Sequence, residues 1–264
     1  MALLNPNVTH LLPLLLITLF LFTCNGEDDS LGYLCNEDTS TNAKISANID
    51  AVLPKLVSKA SSLGHFVATS GGGRDKVYGL AQCRGDISKA DCSGCLHKAA
   101  ELIRQACRDQ PDSRIWRDHC FLRYNIENFI GKIDTSFGYL YVNVKNVTYQ
   151  PNNFNKAVSS LMNKVKSEAV VPKNKGISKG LTKFSSSVTV YGLVQCTGDI
   201  GSASCGKCVN KALSNISKYC TNRKGCNLMY SNCFVRYEVY PFYFPEATNS
   251  TAPVGATFLI MLED

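Results

Sequence analysis

Ten of the thirteen cysteines form two sets of five related by one displacement. Cys83, Cys92, Cys95, Cys107 and Cys120 recur 113 residues later as Cys196, Cys205, Cys208, Cys220 and Cys233. The flanks recur with them: Tyr78-Gly79-Leu80 with Tyr191-Gly192-Leu193, Gln82 with Gln195, Gly85-Asp86-Ile87 with Gly198-Asp199-Ile200, and Arg123-Tyr124 with Arg236-Tyr237. One offset shared by so many positions excludes chance and makes the chain two copies of a unit of roughly 110 residues. Cysteines at this density predict a disulfide framework and an oxidising compartment.

Thirteen is odd, and the unmatched thiol that decides its meaning is Cys24. The first 26 residues contain no Lys, Arg, Asp or Glu, residues 11–22 (LLPLLLITLFLF) are apolar, and Thr23-Cys24-Asn25-Gly26 supplies small residues for a cleavage site. This reads as a secretory leader over 1–26. Twelve apolar residues interrupted by Pro13 fall short of the ~20 needed to span a bilayer, as does the apolar C-terminal stretch ending in Glu263 and Asp264. Cleavage after Gly26 would remove Cys24 and leave an even twelve. Secretion without a membrane segment is therefore expected, and the sequons at Asn146, Asn215 and Asn249 are candidate N-glycosylation sites on that route.

Within each copy the apolar periodicity repeats. Ile45, Ile49, Val52, Leu53 and Leu56 are answered by Phe154, Val158, Leu161, Met162 and Val165, each set spaced as one buried stripe of a helix. The offset here is 109, so four residues enter copy two before its Tyr-Gly-Leu strand, in a Lys-, Gly- and Ser-rich loop expected over 172–187. A second helix is predicted from a cap at Ser88, with Asp91 three residues on, and from Gly201 in copy two. Short strands around Tyr78 to Cys83 and before Tyr124 complete the unit. The class is α+β: two tandem domains, each a short antiparallel sheet on two helices, over 27–135 and 136–242, with 243–264 as a tail.

The copies differ in one cysteine. Copy one has Cys35, whose counterpart at the 109 offset is Val144, and copy two has Cys226. Six cysteines per unit allow fifteen connectivities. The spacing C-x8-C-x2-C, with Gln before its first cysteine and Cys-Phe-x-Arg-Tyr near the end, resembles the ginkbilobin-homologous domain, and two copies behind a leader resemble the plant cysteine-rich repeat secretory proteins. The resemblance implies pairs Cys35 with Cys107, Cys83 with Cys92, and Cys95 with Cys120. For copy two it implies Cys196 with Cys205 and Cys208 with Cys233, leaving Cys220 for Cys226. Closing a long loop with Cys35 is worth about 4.4 kcal/mol in the chain-entropy model and closing the short one about 2.4 kcal/mol. Copy two is thus expected to be the less constrained, its N-terminal strand relying on packing against copy one.

The Cys92-Ser93-Gly94-Cys95 and Cys205-Gly206-Lys207-Cys208 pairs also admit zinc or redox readings. Without histidines at ligand spacing, structural bridges are the stronger reading, and no metal or cofactor is expected. His65, His97 and His119 have no counterparts in copy two, and no hydrolase, zincin or P-loop pattern occurs. A non-enzymatic protein is expected.

The resemblance implies a mannose-type glycan site in modules of this kind, built from an Asn directly after the first cysteine, an Arg six before the last and an acid five after it. Asn36 and Arg114 match; the third position is Asn125. An amide there keeps an acceptor but loses the charge. On an extended strand Glu127 would share its face and could supply the acid, and Trp116 would share one with Arg114 as a stacking platform, against the plainer readings of a solvated Glu127 and an interior Trp116. Copy two has Glu238 at the acidic position, Asn227 in place of Arg, and no Cys-Asn.

Charge is unevenly divided. Residues 27–150 hold 15 basic and 15 acidic residues, whereas 151–264 hold 13 and 6, the whole net excess of +7. Lys164, Lys166, Lys173, Lys175, Lys179 and Lys183 concentrate it, which suggests attraction to acidic cell-wall glycans or microbial surfaces. Nucleic acid is not expected as a partner. The resulting expectation is a secreted, apoplastic plant defence or stress protein that binds mannose-type glycans, with possible antifungal activity. The alternative is an apoplastic protein-interaction module, partnering related receptor kinases or plasmodesmal proteins, with a decayed sugar site.

Overall fold

The computed structural model describes residues 30–36, 41–108, 110–243 and 257–263. The leader with Cys24, the sequon at Asn249 and residues 244–256 lie outside them.

The first unit runs β1 (Ser30–Cys35), α1 (Ala43–Leu63), β2 (His65–Ser70), β3 (Val77–Cys83), α2 (Lys89–Ala106), β4 (Asp112–Arg117) and β5 (Cys120–Asn125), in an antiparallel sheet of order β1-β4-β5-β3-β2. The second runs β6 (Phe137–Asn143), α3 (Pro151–Ala169), β7 (Ile177–Lys183), β8 (Thr189–Cys196), α4 (Ser202–Tyr219), β9 (Gly225–Tyr230), β10 (Cys233–Glu238) and β11 (Thr257–Glu263), ordered β11-β6-β9-β10-β8-β7. Both helices of a unit lie on one face of its sheet, giving the tandem α+β architecture. The Asn42 carboxamide oxygen accepts from Ile45 N at 2.9 Å and starts α1, and Gly64 ends it at φ 83°, a conformation that costs other residues steric strain. The Ser88 hydroxyl accepts from Asp91 N at 3.1 Å and donates to the Asp91 carboxylate at 2.7 Å, closing a box at the start of α2. The apolar stripes of α1 and α3 are buried against the sheets.

Six disulfides join the layers. Cys35–Cys107 ties β1 to the end of α2, Cys83–Cys92 ties β3 to its start, and Cys95–Cys120 ties its middle to β5. Cys196–Cys205 and Cys208–Cys233 repeat the last two, while Cys220–Cys226 joins the end of α4 to β9. Strand register explains the rerouting. Cys35 lies opposite Ser113, and the residue matching Ser113 is Cys226, which lies opposite Val142. The cysteine has moved one strand inward.

Three expectations need correction. The true counterpart of Cys35 is Val142, not Val144, so Asn36 corresponds to Asn143; the turns that follow the two strands differ in length, which helix periodicity alone did not register. The lysine-rich stretch after α3 is a short 3-10 turn followed by strand β7, the equivalent of β2. Last, the segment read as a tail ends in β11, which pairs with all of β6 from Asn143 to Phe137. The N-terminal strand of copy two is therefore flanked by β9 and β11, and it does not depend on copy one alone.

Ile260 and Leu262 of β11 pack on the second core. Deleting residues 257–264 exposes the β6 edge and is expected to lower the stability of the second unit by about 2 kcal/mol, read as an earlier urea midpoint. A midpoint equal to that of the full chain would show that β11 contributes nothing.

Candidate functional site

With helices outside, the inner faces of the two sheets meet, and their junction holds the sequence-predicted site. Leu80, Trp116, Phe121, Phe129, Phe137, Tyr139 and Met229 form a separate buried cluster there. Trp116 packs at a tilt against Phe121 (5.4 Å) and Phe137 (6.0 Å) and edge-on against Tyr139 (5.3 Å), and its indole N–H donates to Tyr230 O at 3.1 Å. It is 2% exposed, so no sugar can use it as a platform.

Two repeated motifs fasten this junction reciprocally. Gly85 N donates to the Gln195 side-chain oxygen at 2.9 Å, and Gly198 N donates to the Gln82 side-chain oxygen at 2.9 Å. The Gln195 amide then donates to Cys83 O and the Gln82 amide to Cys83 O and Gly64 O. A methyl at Gly198 would lie 2.4 Å from the His65 ring, and one at Gly85 would lie 2.8 Å from Ile177 Cδ1. The glutamine before the first cysteine and the glycine after it are thus contacts between copies, which explains their joint recurrence.

Alternation places Asp112, Arg114 and Trp116 on the inner face of β4. Arg114 Nη1 donates to Asp134 Oδ2 at 2.7 Å and to Ser231 Oγ at 2.7 Å, and Nη2 to Asp112 Oδ2 at 3.2 Å. Arg123, directly opposite on β5, donates to the same Asp134 oxygen at 2.8 Å and lies 4.4 Å over the Phe129 ring. Asp134 N donates in turn to Asn232 at 2.7 Å. Arg114 therefore bridges the first sheet, the connecting segment and the turn between β9 and β10 of the second unit, with 7% of its side chain exposed. Burial lowers the proton affinity of Arg123, as does the adjacent Arg114 charge, while Asp112 and Asp134 oppose both.

The other two predicted residues lie at the same end. Asn36 is exposed and its N–H donates to Asp112 O at 2.9 Å; Asn125 lies opposite Asp112, is 8% exposed, and its side-chain oxygen accepts from Glu127 N at 2.8 Å. Asn36, Asp112 and Asn125 thus occupy three neighbouring strands, with Arg114 one step inward. Glu127 is exposed beyond the end of β5, and the carboxylate that lies opposite Asn125 is that of Asp112. In copy two the pair corresponding to Asp112 and Asn125 is Gly225 and Glu238, again directly opposed. A methyl on Gly225 would lie 1.7 Å from Glu238 Oε2, so that carboxylate fills the space the Asp112 side chain takes in copy one. Each carboxylate serves the neighbouring arginine: Asp112 lies 3.7 Å from Arg123, and Glu238 lies 3.2 Å from Arg236. The acid has changed strands between copies, a signal present in the aligned repeats as Asp/Asn against Gly/Glu. Asn143, Asn227 and Glu238 are all more than nine-tenths buried, and burial pushes the Glu238 carboxyl up against the pull of Arg236.

Among the described residues, no cluster of three or more His, Cys, Asp or Glu is placed to hold a metal, and no helix is long and apolar enough to cross a membrane. Of the described sequons, Asn146 is exposed, whereas Asn215 lies in mid-α4 with its amide donating to Tyr230 OH.

Residues 34–127 and 142–240 each match the family model described as salt stress response/antifungal. The chain belongs to that family. This family member is 50% identical over 230 residues to cysteine-rich repeat secretory protein 55 of Arabidopsis thaliana, a match covering 85% of the chain and 88% of the relative. It is 33% identical to the antimicrobial ginkbilobin-2-like protein of Castanea crenata, over 86% of the chain and 94% of that protein. Its fold matches the tandem DUF26 ectodomain of the Arabidopsis thaliana cysteine-rich receptor-like protein PDLP8, at TM-score 0.70 and 24% identity, over 80% of this chain and 98% of that one. Like these relatives it is a secreted, extracellular cysteine-rich repeat protein.

Two predictions follow from the junction. Gln195→Ala removes a buried group that holds both Gly85 N and Cys83 O, and should cost about 1–3 kcal/mol, seen as a lower Tm with the disulfides intact; an unchanged Tm would remove the glutamine clasp from the account. For Asp134, burial pushes the carboxyl up, but Arg114 and Arg123 pull harder and hold it at about 2. An unfolded Asp titrates near ~3.9, so this carboxylate stabilises fully above about pH 4 and progressively less as pH falls towards ~2. Asp134→Asn should lose on the order of 2 kcal/mol at pH 6 and show a flatter pH dependence between 4 and 2 in urea titrations.

Proposed function

We propose that this chain is a non-enzymatic extracellular recognition module that acts on protein partners, among them receptor-like relatives, through the outer surfaces of a rigid tandem. The observation that carries the reading is the commitment of Arg114. A pyranose would need that guanidinium's donors; both terminal nitrogens are engaged by Asp112, Asp134 and Ser231 at the junction, and Nε is buried. Reaching them means separating the two units, against an apolar layer and the reciprocal glutamines. Cysteine-rich receptor-like protein kinases among the relatives favour receptor-linked recognition as the broader role. Stress or antifungal defence, the description of the family, is the setting in which such recognition would operate.

Mannose-type glycan binding is the second reading, and one observation favours it. Asp112 restores a carboxylate beside the exposed Asn36, so an acid and an amide remain at the sheet end even with Asn125 uncharged.

Retention of the secreted protein on mannan separates the two. Under the first reading retention is absent, or indifferent to Asn36→Ala and Asp112→Asn, while Arg114→Ala lowers stability by about 3 kcal/mol. The same protein should bind a purified receptor-like ectodomain in a surface-resonance experiment. Mannan retention abolished by Asn36→Ala at unchanged Tm would establish the glycan reading instead.

A further inference from the structure

The basic excess of the second half collects on one edge of one sheet. Lys173 and Lys175 lead into β7, the outermost strand, and Lys179, Leu181 and Lys183 follow on its face away from the helices, since Gly180 between them backs onto Val165 and Leu161 of α3. These four lysines and Leu181 are exposed. Beside them, Tyr191 lies opposite Leu181 on β8, and Tyr243 packs on Tyr191 at 5.9 Å with its hydroxyl donating to Gly180 O at 3.0 Å. Lys179 Nζ lies 5.6 Å from the Tyr243 ring centre. Both tyrosines are half-buried, and neighbouring rings hold Tyr243 in place, Tyr191 at 5.9 Å and Phe242 at 5.2 Å.

Lysines on an edge strand also discourage pairing with other chains, and the first unit provides a control for that explanation. Strand β2 holds the same edge position with no Lys or Arg: Val67 and Thr69 pair with Leu80 and Tyr78 as Lys179 and Leu181 pair with Leu193 and Tyr191. The residue matching Tyr243 is Ile130. Copy one thus keeps this edge without strand lysines or a second aromatic ring, with Lys76 alone lying 4.9 Å over Tyr78, whereas copy two carries both together. Neither β7 nor β8 carries an acid, and Glu168, the nearest acid on α3, is turned to Ser178 on the helix side.

We infer that the β7 edge is a binding site for a carboxylate-bearing polysaccharide, with a pyranose ring against Tyr191 and Tyr243 and uronate groups at Lys179 and Lys183. The two lysines are four residues apart on one strand, about 13 Å, a linear spacing that suits a polymer running along the edge, and Lys173 and Lys175 prolong the track. Fixed aromatic faces favour a sugar chain over a lipid surface, for which Leu181 is the lone exposed apolar side chain on the strand. The site lies in the second unit and is independent of the Arg114 junction, so either reading can fail without the other.

The test is retention of the secreted protein on immobilised polygalacturonate, with methyl-esterified polygalacturonate, mannan and phosphatidylserine vesicles as parallel arms. Retention on the acidic polymer should fall steeply with added salt and weaken about tenfold in the Lys179→Gln/Lys183→Gln double variant. It should persist in the Lys→Arg double variant and in Arg114→Ala, and be lost on the esterified polymer. No retention of folded protein at low salt, equal retention of the Gln double variant, or stronger binding to the vesicles than to the polymer would each overturn the site.

Discussion

The layer between the two sheets is the constraint on which the rest of the molecule depends. Each unit buries only one face of its sheet beneath its helices, leaving an inner face carrying Leu80, Trp116 and Phe121 in one copy and Tyr139 and Met229 in the other. Neither face suits water, and the apolar area they remove from each other is the largest favourable term available to join the copies. Direction comes from polar groups: Trp116 finds one carbonyl, Tyr139 donates to Tyr33 O, and the paired glutamines accept amides across a pseudo-twofold junction. Because apolar packing is not directional, these bonds select one orientation of the tandem.

The same junction governs the chemistry of the polar cluster. Two guanidiniums on adjacent strands repel each other, and the arrangement persists because Asp112 and Asp134 neutralise both. Asp134 comes from the connecting segment and Ser231 from the second unit, so Arg114 Nη1 has both of its partners only in the tandem. Arg114, expected from the sequence to face a ligand, is here a structural bridge. In copy two the arginine has become Asn227 and the acid has moved to Glu238, and that site is closed as well.

Much of the fold was legible because its signals are local. The helix stripes, the Ser88 cap and the strands beginning at the two Tyr-Gly-Leu motifs depend on periodicity and neighbouring residues. What escaped was set by register between distant strands. Asn143 as the partner of Asn36, Asp112 as the acid opposite Asn125 and β11 as a strand all require knowing which residues lie opposite one another. A one-residue slip moves a side chain to the other face, and a helix offset of 109 cannot report a strand offset of 107.

The sequence by itself determined two copies, an α+β class and a disulfide-stapled extracellular chain, because cysteine spacing, apolar period and leader composition are properties of short stretches. It also located the lysines and the three polar positions. Only the tertiary structure decided what those positions do. Burial of Arg114 between two carboxylates and a second-unit serine, and display of Lys179 and Lys183 beside Tyr191 and Tyr243, are consequences of which faces meet and which remain at an edge. Charge acquires its role from its surroundings: a cationic group holds the molecule together when desolvated between carboxylates, and contributes little to stability at a solvent-facing edge.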